Sequence, residues 1–380
     1  MVRPVLFFFA AMALFSAAPA ASTEALALGR EVADWQLAHV GAPMPHMRPE
    51  TYDPRGWVMG TFYAGLTAFA DRSGAPGYAE AVFAAGESQQ WQLGPRPFHA
   101  DDYVIGQSWV WAYAHTHDPK MIAALRGRFD TIMAAAPSGS LDFSGGKPGY
   151  EAACQDRWCW SDSLFMGPPA WFALSRATGD SRYAAYADKE YQASVGQLFA
   201  PEENLFYRDS RFMTRKGSAG EKIFWARGNG WVYAGLVRIL QNLPADAPER
   251  VRYVDLFRRM SAKLVTLQKP GGYWHASLLG PAAGTPPETS GTGFFTFGLA
   301  YGVAHGLLTG VQYKEAASRG WAALARAVTP DGRLHWVQPI GAAPDAVEDG
   351  DTSPFGVGAF LLAASAVADM QSVPEAVRRP

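Results

Sequence analysis

Apolar residues recur at helical spacing in twelve windows of the chain, about 24–41, 56–72, 77–92, 102–116, 119–136, 161–177, 181–199, 227–242, 248–268, 288–308, 312–327 and 353–371. Apolar positions three and four apart mark one face of a helix, and no window keeps up the two-residue alternation of a strand. The windows alternate in kind. Odd-numbered ones are amphipathic and carry the charge, as between Glu249 and Arg259. Even-numbered ones, such as 293–304 and 355–364, are apolar on nearly every face and rich in Gly and Ala. A helix without a polar face is buried on all sides. Residues 290–311 invite a membrane-spanning reading, but His305, Thr296 and repeated glycines suit close packing inside a soluble protein better.

The links alternate as well. From an even window to the next odd one they are short, at 73–78, 116–121, 178–183, 244–247 and 309–313, and four of these five open on Ser or Thr. From an odd window to the next even one, at 42–55, 93–101, 137–160, 200–226, 269–287 and 328–352, they are long and full of Trp, Pro, Gly and charge. A degenerate hairpin turn repeated in this way predicts six helix pairs, with an inner ring of six helices inside an outer ring. The expectation is an all-α (α/α)6 barrel. A length of 380 residues alone fits two domains or one large closed fold; the repeat favours a single domain over 21–380. All long loops then emerge at one mouth, where a site is expected.

Composition narrows the partners. With 33 Lys+Arg against 35 Asp+Glu and no basic block, the chain offers no electrostatic footprint for nucleic acid or an anionic membrane face. Residues 1–20 read as a cleaved export signal: Arg3, a short apolar stretch from Val5 to Phe15, then Ala18-Pro19-Ala20. The expected destination is the periplasm or the medium, where Cys154 and Cys159, the two cysteines of the chain, read as a small loop disulfide. Two sulfurs with no nearby His make half a structural zinc site, so neither metal nor cofactor is expected.

Each inner helix opens at its loop-bearing end with a polar or aromatic cluster: Arg55-Gly-Trp57, His99-Ala-Asp-Asp102, Trp158-Cys-Trp-Ser-Asp162, Trp225-Ala-Arg-Gly-Asn-Gly-Trp231, Glu288-Thr-Ser-Gly-Thr292 and Asp351-Thr-Ser353. Helix capping explains an Asp or Ser taken singly. It does not explain Arg227, a cation at the positive end of a helix dipole, nor Trp at three of the six starts. Trp91, Trp109, Trp111 and Trp321 fall mid-helix and read as core. A ring of carboxylates, Arg, Asn and Trp around a barrel mouth is equipment for a sugar: aromatic faces for the ring, polar groups for hydroxyls, a cation for a carboxylate.

The motifs Trp160-Ser-Asp-Ser-Leu-Phe-Met-Gly-Pro-Pro169, Phe206-Tyr-Arg-Asp209, Phe224-Trp-Ala-Arg-Gly-Asn-Gly-Trp231, Glu288-Thr-Ser-Gly-Thr292 and Phe355-Gly-Val-Gly-Ala-Phe360 resemble the unsaturated rhamnogalacturonyl hydrolases of glycoside hydrolase family 105. Family 88, the unsaturated glucuronyl hydrolases, is the close relative. The resemblance runs from about residue 24 to 370. It implies an (α/α)6 barrel acting on the Δ4,5-unsaturated uronic acid that polysaccharide lyases leave at a non-reducing end. Hydration of the vinyl ether would open the sugar and collapse the glycosidic linkage.

The resemblance further implies Asp162 as the acid/base, with Trp160 and Met166 among the apolar neighbours that raise its pKa. It places a second carboxylate at Asp101 or Asp102, which spacing does not separate, and a substrate contact at Trp57. Arg227, with Asn229 and Trp231 beside it, is the candidate for the uronate. His99, Glu288 and Ser353 complete the candidate contacts at the inner-helix starts. Arg208 is a departure, since some relatives carry a His where this chain has Tyr207-Arg208. The expected partner is an unsaturated oligosaccharide, the expected assembly a monomer or homodimer. Two alternatives stay open: an inverting glycosidase on saturated substrates using Asp162 with Asp101 or Asp102, and a non-catalytic carbohydrate-binding protein.

Overall fold

The computed structural model describes residues 20–42, 53–281 and 285–373; the expected export signal lies outside the described residues, apart from Ala20. Among the described residues thirteen α-helices follow in order: α1 Ala20–Ala38, α2 Trp57–Ser73, α3 Pro76–Ser88, α4 Gly106–Thr116, α5 Lys120–Ala135, α6 Ser163–Met166, α7 Pro168–Thr178, α8 Ser181–Leu198, α9 Ala226–Asn242, α10 Arg250–Leu267, α11 Thr289–Ala304, α12 Val311–Arg326 and α13 Pro354–Ser372. The all-apolar windows became the inner ring, in which α2, α4, α7, α9, α11 and α13 each pack on the next and α13 returns to α2. The amphipathic helices lie outside, α3 on α2, α5 on α4, α8 on α7, α10 on α9 and α12 on α11, while α1 covers α13. The inner ring is thus closed by its own first and last helices, α2 and α13.

Glycine makes this closure possible. A Cβ on Gly65 of α2 would lie 2.3 Å from the carbonyl oxygen of Gly358 on α13, and one on Gly358 would lie 2.4 Å from that of Thr61. The two backbones are in contact, so a side chain has nowhere to go. By length and composition α13 could cross a membrane, yet it is buried inside the ring.

Three boundaries differ from the apolar pattern. The window 161–177 is broken into α6 and α7, because Pro168 and Pro169 lack the N–H groups that would continue α6 and instead occupy the first turn of α7. The window 102–116 yields a helix only from Gly106, after a 3-10 turn at Ala100–Asp102. The window 77–92 ends at Ser88. Gln90 and Trp91 turn back with φ of 51° and 55°, so Trp91 is not mid-helix but caps the core edge-on against Trp109 at 5.0 Å. A short antiparallel pair, β1 Phe199–Ala200 with β2 Leu205–Phe206, leads into the strand-like segment that carries Arg208.

Candidate active site

The long loops meet over a cavity of about 330 Å³ at the mouth of the barrel. The 3-10 turn before α4 sorts the aspartate pair. His99 caps it, accepting the Asp101 backbone N–H at Nδ1 (3.3 Å), and Asp101 lines the cavity. Asp102 points away. Its carboxylate accepts the Arg96 backbone N–H (2.5 Å) and both Nε (3.0 Å) and Nη2 (2.7 Å) of Arg96, a fork that consumes it structurally. Of the two aspartates left open by the spacing, Asp101 is therefore the one that faces the site. An α-helical register here would aim them differently, and the sequence carries no signal for the tighter turn.

Asp162 stands at the N-cap position of α6 yet caps nothing. Its Oδ2 accepts a hydrogen bond from Ser161 Oγ (3.0 Å) and lies 3.5 Å from Arg208 Nε. Burial raises its pKa, held back by the Arg208 charge, the Ser161 hydroxyl and Arg227. Burial likewise pushes Asp101 up to about 7, against the opposing pull of Arg96 and with the help of Asp162 and Asp102. His99, buried and facing Arg96, is pushed down to about 2 and stays neutral. The cavity thus holds two carboxyl groups whose burial favours the protonated form, with no cationic histidine between them.

The walls are aromatic. Trp57, Trp160, Trp225, Trp231 and Met166 line the cavity; Trp57 meets Trp231 edge-on at 6.1 Å, and Trp160 lies 5.0 Å from the His99 ring. Arg227 also lines it, but its fork is anchored. Nη1 and Nη2 donate to the carbonyls of Gln338 (2.7 Å) and Pro339 (2.8 Å), and the guanidinium sits 4.4 Å from Trp225 and 4.9 Å from Phe355. Burial lowers its pKa to about 10, partly offset by Glu288 and Asp162. Arg208 lines the cavity with only 7% of its side chain exposed, donating from Nη1 to Asp209 (2.8 Å).

Three expected contacts turn out to be scaffolding. Asn229 accepts the Phe206 backbone N–H (2.8 Å) and donates to the carbonyls of Phe206 and Trp225 (3.0 Å each), tying β2 to α9. Glu288 caps α11, accepting from Ser290 N–H (2.9 Å) and Gly291 N–H (2.7 Å). Ser353 sits buried at the N-cap position of α13, outside the cavity lining. Conversely, Arg96, Tyr150, Glu151, Gln155, Ile340 and Gly341 line the cavity without having been singled out. All come from long loops, where no periodicity points inward.

Cys154 and Cys159 are bonded. The bridge closes the loop that carries Gln155, whose Oε1 accepts the backbone N–H groups of Glu151 (2.7 Å) and Ala152 (3.2 Å), and leads directly to Trp160 and Asp162. Closing so short a loop is worth about 2 kcal/mol in the chain-entropy picture. The Cys154→Ser/Cys159→Ser double variant is expected to lose that stability, read as a lower denaturation midpoint, and to show a raised KM. Unchanged values of both would remove the bridge from any role in shaping the mouth.

A helical six-hairpin barrel whose mouth holds two buried carboxyl groups between tryptophans has the architecture of a carbohydrate-cleaving enzyme. The chain belongs to Glycosyl Hydrolase Family 88, whose model matches residues 30–371, and it is a glycoside hydrolase. It is 40% identical over 348 residues to an unsaturated 3S-rhamnoglycuronyl hydrolase of Alteromonas sp. (strain LOR), covering 89% of this chain and 84% of that one. A protein of the same name from Formosa agariphila is 33% identical over 347 residues, covering 89% of each. The solved structure of a glycosyl hydrolase family 88 protein from Bacteroides vulgatus superposes with a TM-score of 0.79 at 26% identity, covering 92% of this chain and 99% of that one.

Proposed function

We propose that this enzyme removes the Δ4,5-unsaturated uronic acid from the non-reducing end of lyase-generated oligosaccharides by hydrating its double bond. The observation that carries the reading is the carboxyl pair in one cavity, Asp162 and Asp101, with burial favouring the protonated form of each. Interacting carboxyl groups titrate as a pair, and burial favours a proton on that pair. In this reading Asp162 delivers that proton to C4, water adds at C5, and the resulting hemiketal opens to break the linkage. Trp57, Trp160 and Trp231 would stack on sugar faces. The names of the two relatives support an unsaturated 3S-rhamnoglycuronyl unit as the substrate.

The experiment is a panel of unsaturated disaccharides followed by ultraviolet absorbance. Loss of the absorbance of the conjugated double bond is expected, fastest with the rhamnose-linked unit. Reducing sugar released while absorbance persists would overturn hydration and favour ordinary displacement at the anomeric carbon. Export to the periplasm or medium is part of the same reading, supported by the bonded cysteine pair; the mass of the mature protein tests it by the loss of about 20 residues expected of a signal peptide.

A further inference from the structure

Three arginines line the mouth, and two are already engaged. Arg96 gives Nε and Nη2 to Asp102 and Nη1 to the Gly149 carbonyl (3.2 Å). Arg227 gives both terminal nitrogens to Gln338 and Pro339. Arg208 is different. Its Nη1 is on Asp209, but its Nε is buried without a hydrogen bond, 3.5 Å from Asp162 Oδ2. A buried donor left unmet is costly, and a carboxylate is the acceptor that suits a guanidinium edge best.

We infer that Arg208 binds the carboxylate of the unsaturated uronate and in doing so releases Asp162, so that substrate binding itself draws onto Asp162 the proton the reaction uses. The inference rests on the hydrolase reading above. In the free enzyme the Arg208 charge favours the Asp162 carboxylate. The bound uronate competes for that charge and brings its own negative charge close, and both effects favour the acid. Atoms balance. Asp162 takes one proton from solvent and gives it to C4; water supplies hydroxide to C5, and its remaining proton returns to the carboxylate.

The other groups around Asp162 do not do this. Arg227 reaches from α9 but is anchored, and Asp101 approaches from the turn before α4 as a like charge. Glu151 lies beyond Arg208, 4.0 Å from its Nη1, and His99 is neutral. Arg208 alone among these can change partners. A neutral sugar would leave Asp162 paired with Arg208, so the site selects for a uronate in its chemistry as well as in its binding.

The pH dependence of kcat/KM reports the free enzyme and that of kcat the complex. With an unsaturated uronyl disaccharide, the alkaline limb of kcat is expected about one to three pH units above that of kcat/KM. In Arg208→Gln the two limbs draw together and KM rises about tenfold, the cost of a lost charge-assisted pair. That variant keeps its fold because Arg211 still holds Asp209 through Nε (2.9 Å) and Nη2 (2.8 Å). Arg208→Lys restores part of the separation without restoring KM. Coincident limbs in the wild type, or a separation that survives Arg208→Gln, would overturn the inference and leave the hydrolase reading intact. Absorbance that persists with every unsaturated disaccharide would overturn the reading and the inference together.

Discussion

Asp162→Asn is expected to lower kcat on an unsaturated disaccharide by about 10³- to 10⁴-fold, the upper range for loss of a general acid. Asn is nearly the same shape, accepts from Ser161 as Asp162 does, and has no proton to give at neutral pH. The fold is not expected to suffer. A carboxyl group whose pKa is raised in the folded state stabilises the protein below its unfolded pKa, and that contribution is lost as pH climbs through the folded value. At neutral pH the wild type therefore carries a penalty for ionising Asp162 that the amide escapes. The thermal midpoint of the variant should match or exceed that of the wild type. A folded variant that keeps a tenth of the activity would show that Asp162 is not the acid.

The second large effect is on stability. Gly65→Val should cost about 3 kcal/mol or more, at the severe end for overpacking. Ordinary overpacking is relieved by side chains that move aside, but here the obstructing atoms are the carbonyl oxygen, carbonyl carbon and Cα of Gly358, at 2.3–2.8 Å from the new Cβ. The helices would have to separate along the seam that closes the ring. Gly127 is the internal control: it lies on the exposed side of α5 with nothing within 4 Å of an added Cβ. Gly127→Ala should stabilise by about 0.5–1 kcal/mol through helix propensity alone. Denaturant midpoints of the two variants give the comparison, and a Gly65→Val midpoint within about 1 kcal/mol of wild type would contradict the backbone contact, given the usual cost of overpacking.

The fold was legible because a closed ring of helices imposes two hydrophobic patterns, one for each layer, and the loops of unequal length reveal which end is the mouth. The site was legible only in part. Arg227 and the tryptophans are residues whose chemistry is awkward at a helix start, and awkwardness shows in sequence; Asp162 and Arg208 stood out through the motifs that carry them. Asn229 and Glu288 look equally functional on paper, since a buried polar group at a mouth reads the same whether it meets a sugar or a backbone amide. Which it meets depends on β2 and on the loop around Gln338, segments with no periodic signature. The division of labour between Asp101 and Asp102 turns on one 3-10 turn, in which adjacent residues differ by about 120° in direction.

The packing of α1 and α2 against α13 has a consequence for how the molecule is made. The seam joins segments nearly three hundred residues apart in the chain, so the ring cannot shut until α13 has been made. Until α13 arrives, the inner faces of α2 and α11 lack their neighbour, and loop-closure entropy across the whole barrel has yet to be overcome. Assembly is accordingly a late and concerted event, with a long interval in which apolar helices stand open to solvent and to one another.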